Sequence, residues 1–74
     1  MVFPNPIIDQ YNIRIPKANS QTHFHIYDGK GAIVGSGEIQ GKLYQGHFGN
    51  LVPGSYMIVI YYNKESYNFP ITHL

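Results

Sequence analysis

The run Tyr11-Asn12-Ile13-Arg14-Ile15 alternates apolar and polar positions, so Tyr11, Ile13 and Ile15 share one face of an extended strand that Pro16 ends. The same period of two returns in Thr22-His23-Phe24-His25-Ile26-Tyr27, which points Phe24 and Ile26 inward and both histidines outward. Asp28-Gly29-Lys30-Gly31 reads as a hairpin turn, because Asp-Gly supplies the positive φ that tight turns need. Ala32 to Ile39 continues as a strand broken by Gly35 and Gly37, and glycine inside a strand marks a bulge or a close backbone approach. Gln40-Gly41 turns again, and Lys42 to Phe48 returns. Ser55 to Tyr62 is β-branched and aromatic on both faces, which predicts a central strand covered on both sides or nearly so. Asn63-Lys64-Glu65 forms a short loop into Ser66–Thr72, where Tyr67, Phe69 and Ile71 alternate. Pro70 cannot donate to a ladder, so this strand is confined to an edge.

No stretch longer than about ten residues carries a helical repeat. Strand signals recurring about every ten residues predict an all-β fold, a small immunoglobulin-like antiparallel β-sandwich of about seven strands counting Val2–Phe3. Phe24, Ile26, Ile58 and Ile60, with either Phe69 or Ile71, are its expected core.

At 74 residues the chain holds one domain at most, with an expected stability of about 4–10 kcal/mol. The absence of cysteine removes a disulfide framework and a thiolate zinc site, so the core must hold alone. An apolar content of 43%, with seven tyrosines and four phenylalanines, is enough for that. The net charge is +1, and Arg14, Lys17, Lys30, Lys42 and Lys64 are scattered rather than gathered into the basic stripe of a nucleic-acid binder. No nucleic-acid partner is therefore expected. No apolar stretch is long enough to span a bilayer as a helix, and the opening Met1–Pro6 lacks the regions of a signal peptide.

Catalytic chemistry finds little purchase. Asp9, Asp28, Glu38 and Glu65 are dispersed, no carboxylate dyad forms, and neither a Ser-His-Asp order nor a Gly-x-Ser-x-Gly elbow is present. The chain reads as a non-enzyme. The glycine-rich stretch from Gly29 to Gly41 fits no phosphate loop, since no helix follows it. His23 and His25 share a strand face, a spacing compatible with zinc or copper if His47 lies alongside. With no cysteine or neighbouring carboxylate, solvent-facing histidines are the expected reading, and neither a metal nor another cofactor is expected.

Two stretches are more specific. In Asn50-Leu51-Val52-Pro53-Gly54-Ser55-Tyr56, Pro53 fixes φ and Gly54 permits a turn other residues enter at a cost. Tyr56 is then placed to bond its hydroxyl to backbone a few residues upstream, the tyrosine corner of immunoglobulin-like sandwiches. In Val2-Phe3-Pro4-Asn5-Pro6, the prolines remove two backbone donors and push Asn5 toward extended geometry, giving a stiff lead-in aimed at the Tyr11 strand. Asp9 is expected to close that connection with a side-chain-to-backbone bond.

Taken in order, these stretches resemble the C-terminal sorting domain of type IX secretion systems, the Por-type secretion tail. Val2, Pro4, Asn5, Pro6 and Asp9 match its first element. Ile26, Tyr27, Asp28, Gly31 and Val34 match the second, and Asn50, Leu51, Pro53, Gly54, Tyr56 and Ile60 the third. The resemblance runs from Val2 to about Ile71. Two departures stand out: the family commonly ends in a lysine-rich strand, whereas no lysine follows Lys64 here, and Ile7 and Ile8 replace small residues.

The resemblance implies that residues 1–74 are a single sorting domain excised from a larger secreted protein. It implies a non-enzymatic signal that directs cargo from the periplasm through an outer-membrane translocon to the cell surface or medium. A sortase-like surface protease would then remove the domain or exchange it for a lipopolysaccharide anchor. Pro4, Asn5, Pro6, Asp9, Asp28, Gly31, Leu51, Pro53, Gly54 and Tyr56 are the motif residues expected to serve recognition or structure. The alternative is an immunoglobulin- or fibronectin-like accessory module, a spacer or a carbohydrate- or protein-binding unit, with exposed Tyr44, Tyr61 or Tyr62 stacking on sugar rings. The edge strand Ser66–Thr72, guarded mainly by Pro70, also predicts a weak homodimer through edge strands.

Overall fold

The period-two segments fold as strands in the computed structural model, which describes residues 2–3, 9–15, 22–49, 51–62 and 64–74. The strands are β1 (Val2–Phe3), β2 (Gln10–Arg14), β3 (His23–Tyr27), β4 (Ile33–Glu38), β5 (Leu43–His47), β6 (Gly54–Tyr62) and β7 (Glu65–His73). Every pairing is antiparallel, and two sheets result, ordered β1-β2-β5 and β4-β3-β6-β7. The all-β sandwich expected from the sequence is the fold observed. Pro4, Asn5 and Pro6, with Ile7, Ile8, Pro16, Asn50 and Asn63, lie outside the described residues.

Alternation decides which side chains meet. The β3–β6 register sets Phe24 opposite Ile60 and Ile26 opposite Ile58, and the β6–β7 register sets Tyr56 opposite Ile71. All six are buried, as are Tyr11, Ile13 and Ile15 from the other sheet. Phe69 is half-buried against this core. Burying one isoleucine contributes about 1.5–3 kcal/mol, so a one-residue slip that turned β6 over would cost several times that. Aromatic edges stitch the sheets together: the Phe24 ring meets Tyr44 at 4.9 Å and Tyr11 at 6.4 Å.

Two glycines make room for those rings. A Cβ on Gly46 would collide with the Tyr11 ring, and one on Gly37 would lie 2.8 Å from Phe24. The glycines of β4 also coincide with a register shift: Ile26 pairs with Gly35 but Tyr27 pairs with Ile33, so Val34 is the extra residue of a bulge.

Three local expectations change. The positive φ of the 28–31 turn falls on Gly31 (87°), not on Gly29. Asp28 explains this: its carbonyl accepts from the Gly31 N–H at 3.0 Å and its carboxylate from the Lys30 and Ala32 N–H groups at 2.9 and 3.0 Å. Asp at the first and Gly at the fourth position suit a type I turn followed by a left-handed residue. The second hairpin loop is shorter than expected, because Tyr62 pairs with Glu65 and Lys64 takes the left-handed conformation at φ 66°. Finally, β6 is central, between β3 and β7, but its outer face (Met57, Val59, Tyr61) is half-buried by neighbouring side chains rather than roofed by another layer.

Candidate functional site

Three registers bring strand ends to one end of the sandwich. Gln10 pairs with His47, Tyr27 with Met57, and His73 with Gly54. The starts of β2 and β6 therefore stand with the ends of β3, β5 and β7. A side chain at Gly29 would lie 3.8 Å from the Ser55 carbonyl, which sets the 28–31 turn beside the same end. The described motif residues Asp9, Asp28, Gly31, Leu51, Pro53, Gly54 and Tyr56 all belong to it.

Phe48 is the hub. Its buried ring lies 5.2 Å from Tyr11, 5.3 Å from Tyr56 in a stacked pair, and 4.7 Å from His73. The chain turns tightly after it, with the Leu51 N–H donating to the Phe48 carbonyl at 3.1 Å. The remaining carbonyls of this corner need donors, because buried backbone acceptors cost free energy when unpaired. The Tyr56 hydroxyl donates to the Val52 carbonyl, the corner bond expected from the sequence. His73 Nε2–H donates to the Leu51 carbonyl at 3.1 Å, which fixes that ring's tautomer. Gly54 enters β6 at φ 155°, a backbone state L side chains rarely adopt.

Asp9 closes the corner from the other sheet. Its carbonyl accepts from the Phe48 N–H at 2.9 Å, Oδ1 from the Gly49 N–H at 3.3 Å, and Oδ2 lies 3.4 Å from His47 Nδ1. Among the described residues, the Asp9 side-chain-to-backbone bond reaches the exit of β5, 40 residues away in sequence. Among the described residues, no buried side-chain nitrogen or oxygen is left unpaired. The corner's surface is formed by Val52, 71% exposed, with Pro53, Gly54 and Ser55 exposed beside it.

On the open side of the sandwich, between β4 and β5, lies a cavity of about 370 Å³ lined by Tyr11, Ile26, Val34, Tyr44, Phe48 and Leu51 among others. Burial, and then the neighbouring Tyr44, push the Tyr11 phenol up to about 12. His47 is the one imidazole on the cavity wall and is partnered by Asp9. Among the described residues no three metal-binding side chains are grouped, and His47 lies on the opposite sheet from His23 and His25. The tyrosines expected to be exposed for sugar stacking are not: Tyr44, Tyr61 and Tyr62 are all half-buried, Tyr44 and Tyr62 against the core and Tyr61 among histidines.

Phe48 and His73 carry much of this corner, and sequence reasoning passed over both. Alternation from Ile71 would have turned His73 inward, and alternation from Tyr44 and Gly46 would have done the same for Phe48. The reach of Asp9 to Gly49 is a tertiary pairing with no local signal.

The family model described as the secretion system C-terminal sorting domain matches residues 1–71. No curated protein sequence and no solved structure matches the chain.

Proposed function

Since the chain belongs to the secretion system C-terminal sorting domain family, a signal of type IX secretion, we propose that it acts as a folded, non-catalytic address read by the outer-membrane translocon. The family carries export to the cell surface or extracellular space. In this reading residues 1–74 are one domain of a larger secreted protein, which passes through the periplasm before the translocon engages it. A sortase-like surface protease then removes the domain or replaces it with a lipopolysaccharide anchor.

One observation supports this reading most. Motif residues far apart in sequence meet at one end of the sandwich and are held there by His73 of β7. A linear peptide signal needs no such convergence, whereas a recognised surface does. In this proposal Pro53 and Gly54 shape the presented surface. Asp9, Asp28, Gly31, Leu51 and Tyr56 hold it in shape.

The test is export. Fused behind a signal peptide and a reporter in a bacterium with a working type IX pathway, the chain should send the reporter to the surface or medium. Deleting Phe69–Leu74 should trap it in the periplasm, because half of β7 and the His73 contacts go together. If the intact fusion stays periplasmic while a lysine-ended family member is exported in the same cells, the sorting role fails for this chain.

A further inference from the structure

The outer face of the four-stranded sheet carries a cluster that the sorting role leaves unused. His23 and His25 project from β3 with ring centres 5.7 Å apart. Tyr61 of β6 braces both, stacked on His23 at 4.8 Å with the planes 16° apart, and meeting His25 edge-on at 5.2 Å. Tyr27 completes the group: its hydroxyl lies 3.2 Å from His25 Nδ1 and 3.3 Å from the Tyr61 hydroxyl. Glu38, opposite His23 in the β3–β4 register, adds a negative charge to the same face.

The spacing of the imidazoles is specific enough to use. An ion held about 2.0–2.1 Å from an imidazole nitrogen sits about 3.2 Å from the ring centre. Two rings sharing that ion stand about 4.5 Å apart at a right angle and about 5.2 Å apart at the tetrahedral angle, with a ceiling of about 6.4 Å. The observed 5.7 Å is within reach of the tetrahedral value by a small ring rotation and further from the square-planar one. Orientation is also supplied. When His25 Nδ1–H donates to Tyr27 and Tyr27 donates on to Tyr61, the lone pair of His25 is left on Nε2. Outer hydrogen bonds of this kind fix the tautomer and aim of metal-ligating histidines.

We propose that His23 and His25 form a two-imidazole chelate for Zn²⁺ on the outer face of the sheet, with water completing the coordination and Tyr27 and Tyr61 setting the ring positions. This adds a divalent-cation site to a face whose histidines were expected to be merely solvent-facing, and it does not depend on the sorting role. Two protein donors bind more weakly than a closed four-ligand site.

The experiment is a Zn²⁺ titration of the tag-free 74-residue chain by calorimetry, with imidazole ¹⁵N shifts followed by NMR. The expected result is one ion per chain, with shifts at His23 and His25. His23→Ala and His25→Gln should each weaken binding at least tenfold, and Tyr27→Phe should weaken it by a smaller factor. Both histidines sit on the outer face rather than in the core, and an unchanged amide spectrum will verify that each variant folds. Undiminished affinity in either histidine variant, shifts centred on His47 or His73, or no binding at millimolar Zn²⁺ would each overturn the proposal.

Discussion

A single hydroxyl closes the corner before β6. Tyr56 is 6% exposed, so its OH has given up water for the Val52 carbonyl, and removing it strands that acceptor. Tyr56→Phe should therefore lower stability by about 0.5–1.5 kcal/mol, read as a shift in the urea midpoint; an unmoved midpoint would mean that the bond contributes nothing. Tyr11 makes a different prediction, about pH. Its phenol is raised from 10.0 to about 12 in the folded chain, chiefly by burial and then by Tyr44. Below pH 10 the folded and unfolded chains both hold the proton, and the full stability is present. Between 10 and about 12 the unfolded chain ionises first, so stability falls as pH rises through that window. Tyr27 and Tyr67 are also raised, chiefly by hydrogen bonds to Tyr61 and Glu65 respectively, and lean the same way, Tyr27 from a half-buried position and Tyr67 from an exposed one. Thermal melts of the native chain should lose midpoint more steeply across this range than melts of Tyr11→Phe. Equal slopes would assign the effect to other groups.

The strands themselves were legible because each has one buried face, and period two writes that face into the sequence. Phe24 and Ile26 against His23 and His25 is the clearest case. Edge status was legible too, since Pro70 removes a donor and β7 does lie at the sheet's rim. Turn geometry was less so. The Asp28 carboxylate selects which glycine turns left-handed, a choice made by hydrogen bonds rather than by the Asp-Gly pair alone. The corner was half legible: Pro53-Gly54 and Tyr56 announce it locally, but Asp9, Phe48 and His73 join it through pairings between distant strands. At this scale β7 also carries a prediction. It offers nine residues of edge, with no lysine or arginine, Glu65 its one carboxylate and Pro70 interrupting the donor row. Weak self-association should appear in sedimentation at high concentration and recede when Asn68, which is exposed, is replaced by Lys. A clean monomer throughout would show the edge to be adequately blunted.

The whole molecule is about 31 × 21 × 16 Å and carries no disulfide. A chain this size loses its sheets in one cooperative step, so the motif-bearing end and the core behind it share one stability. The strand order adds a matter of timing. β7 is made after every other strand, yet its His73 ring packs on Phe48 and its Nε2–H caps Leu51. While the ribosome has yet to add those residues, the corner lacks one of its walls and the Leu51 carbonyl lacks its donor. Chains cut short by premature termination or by proteolytic trimming would thus carry the motif residues from Asp9 to Tyr56 without their finished arrangement. The arrangement of this end therefore reports, through one imidazole, whether β7 has seated.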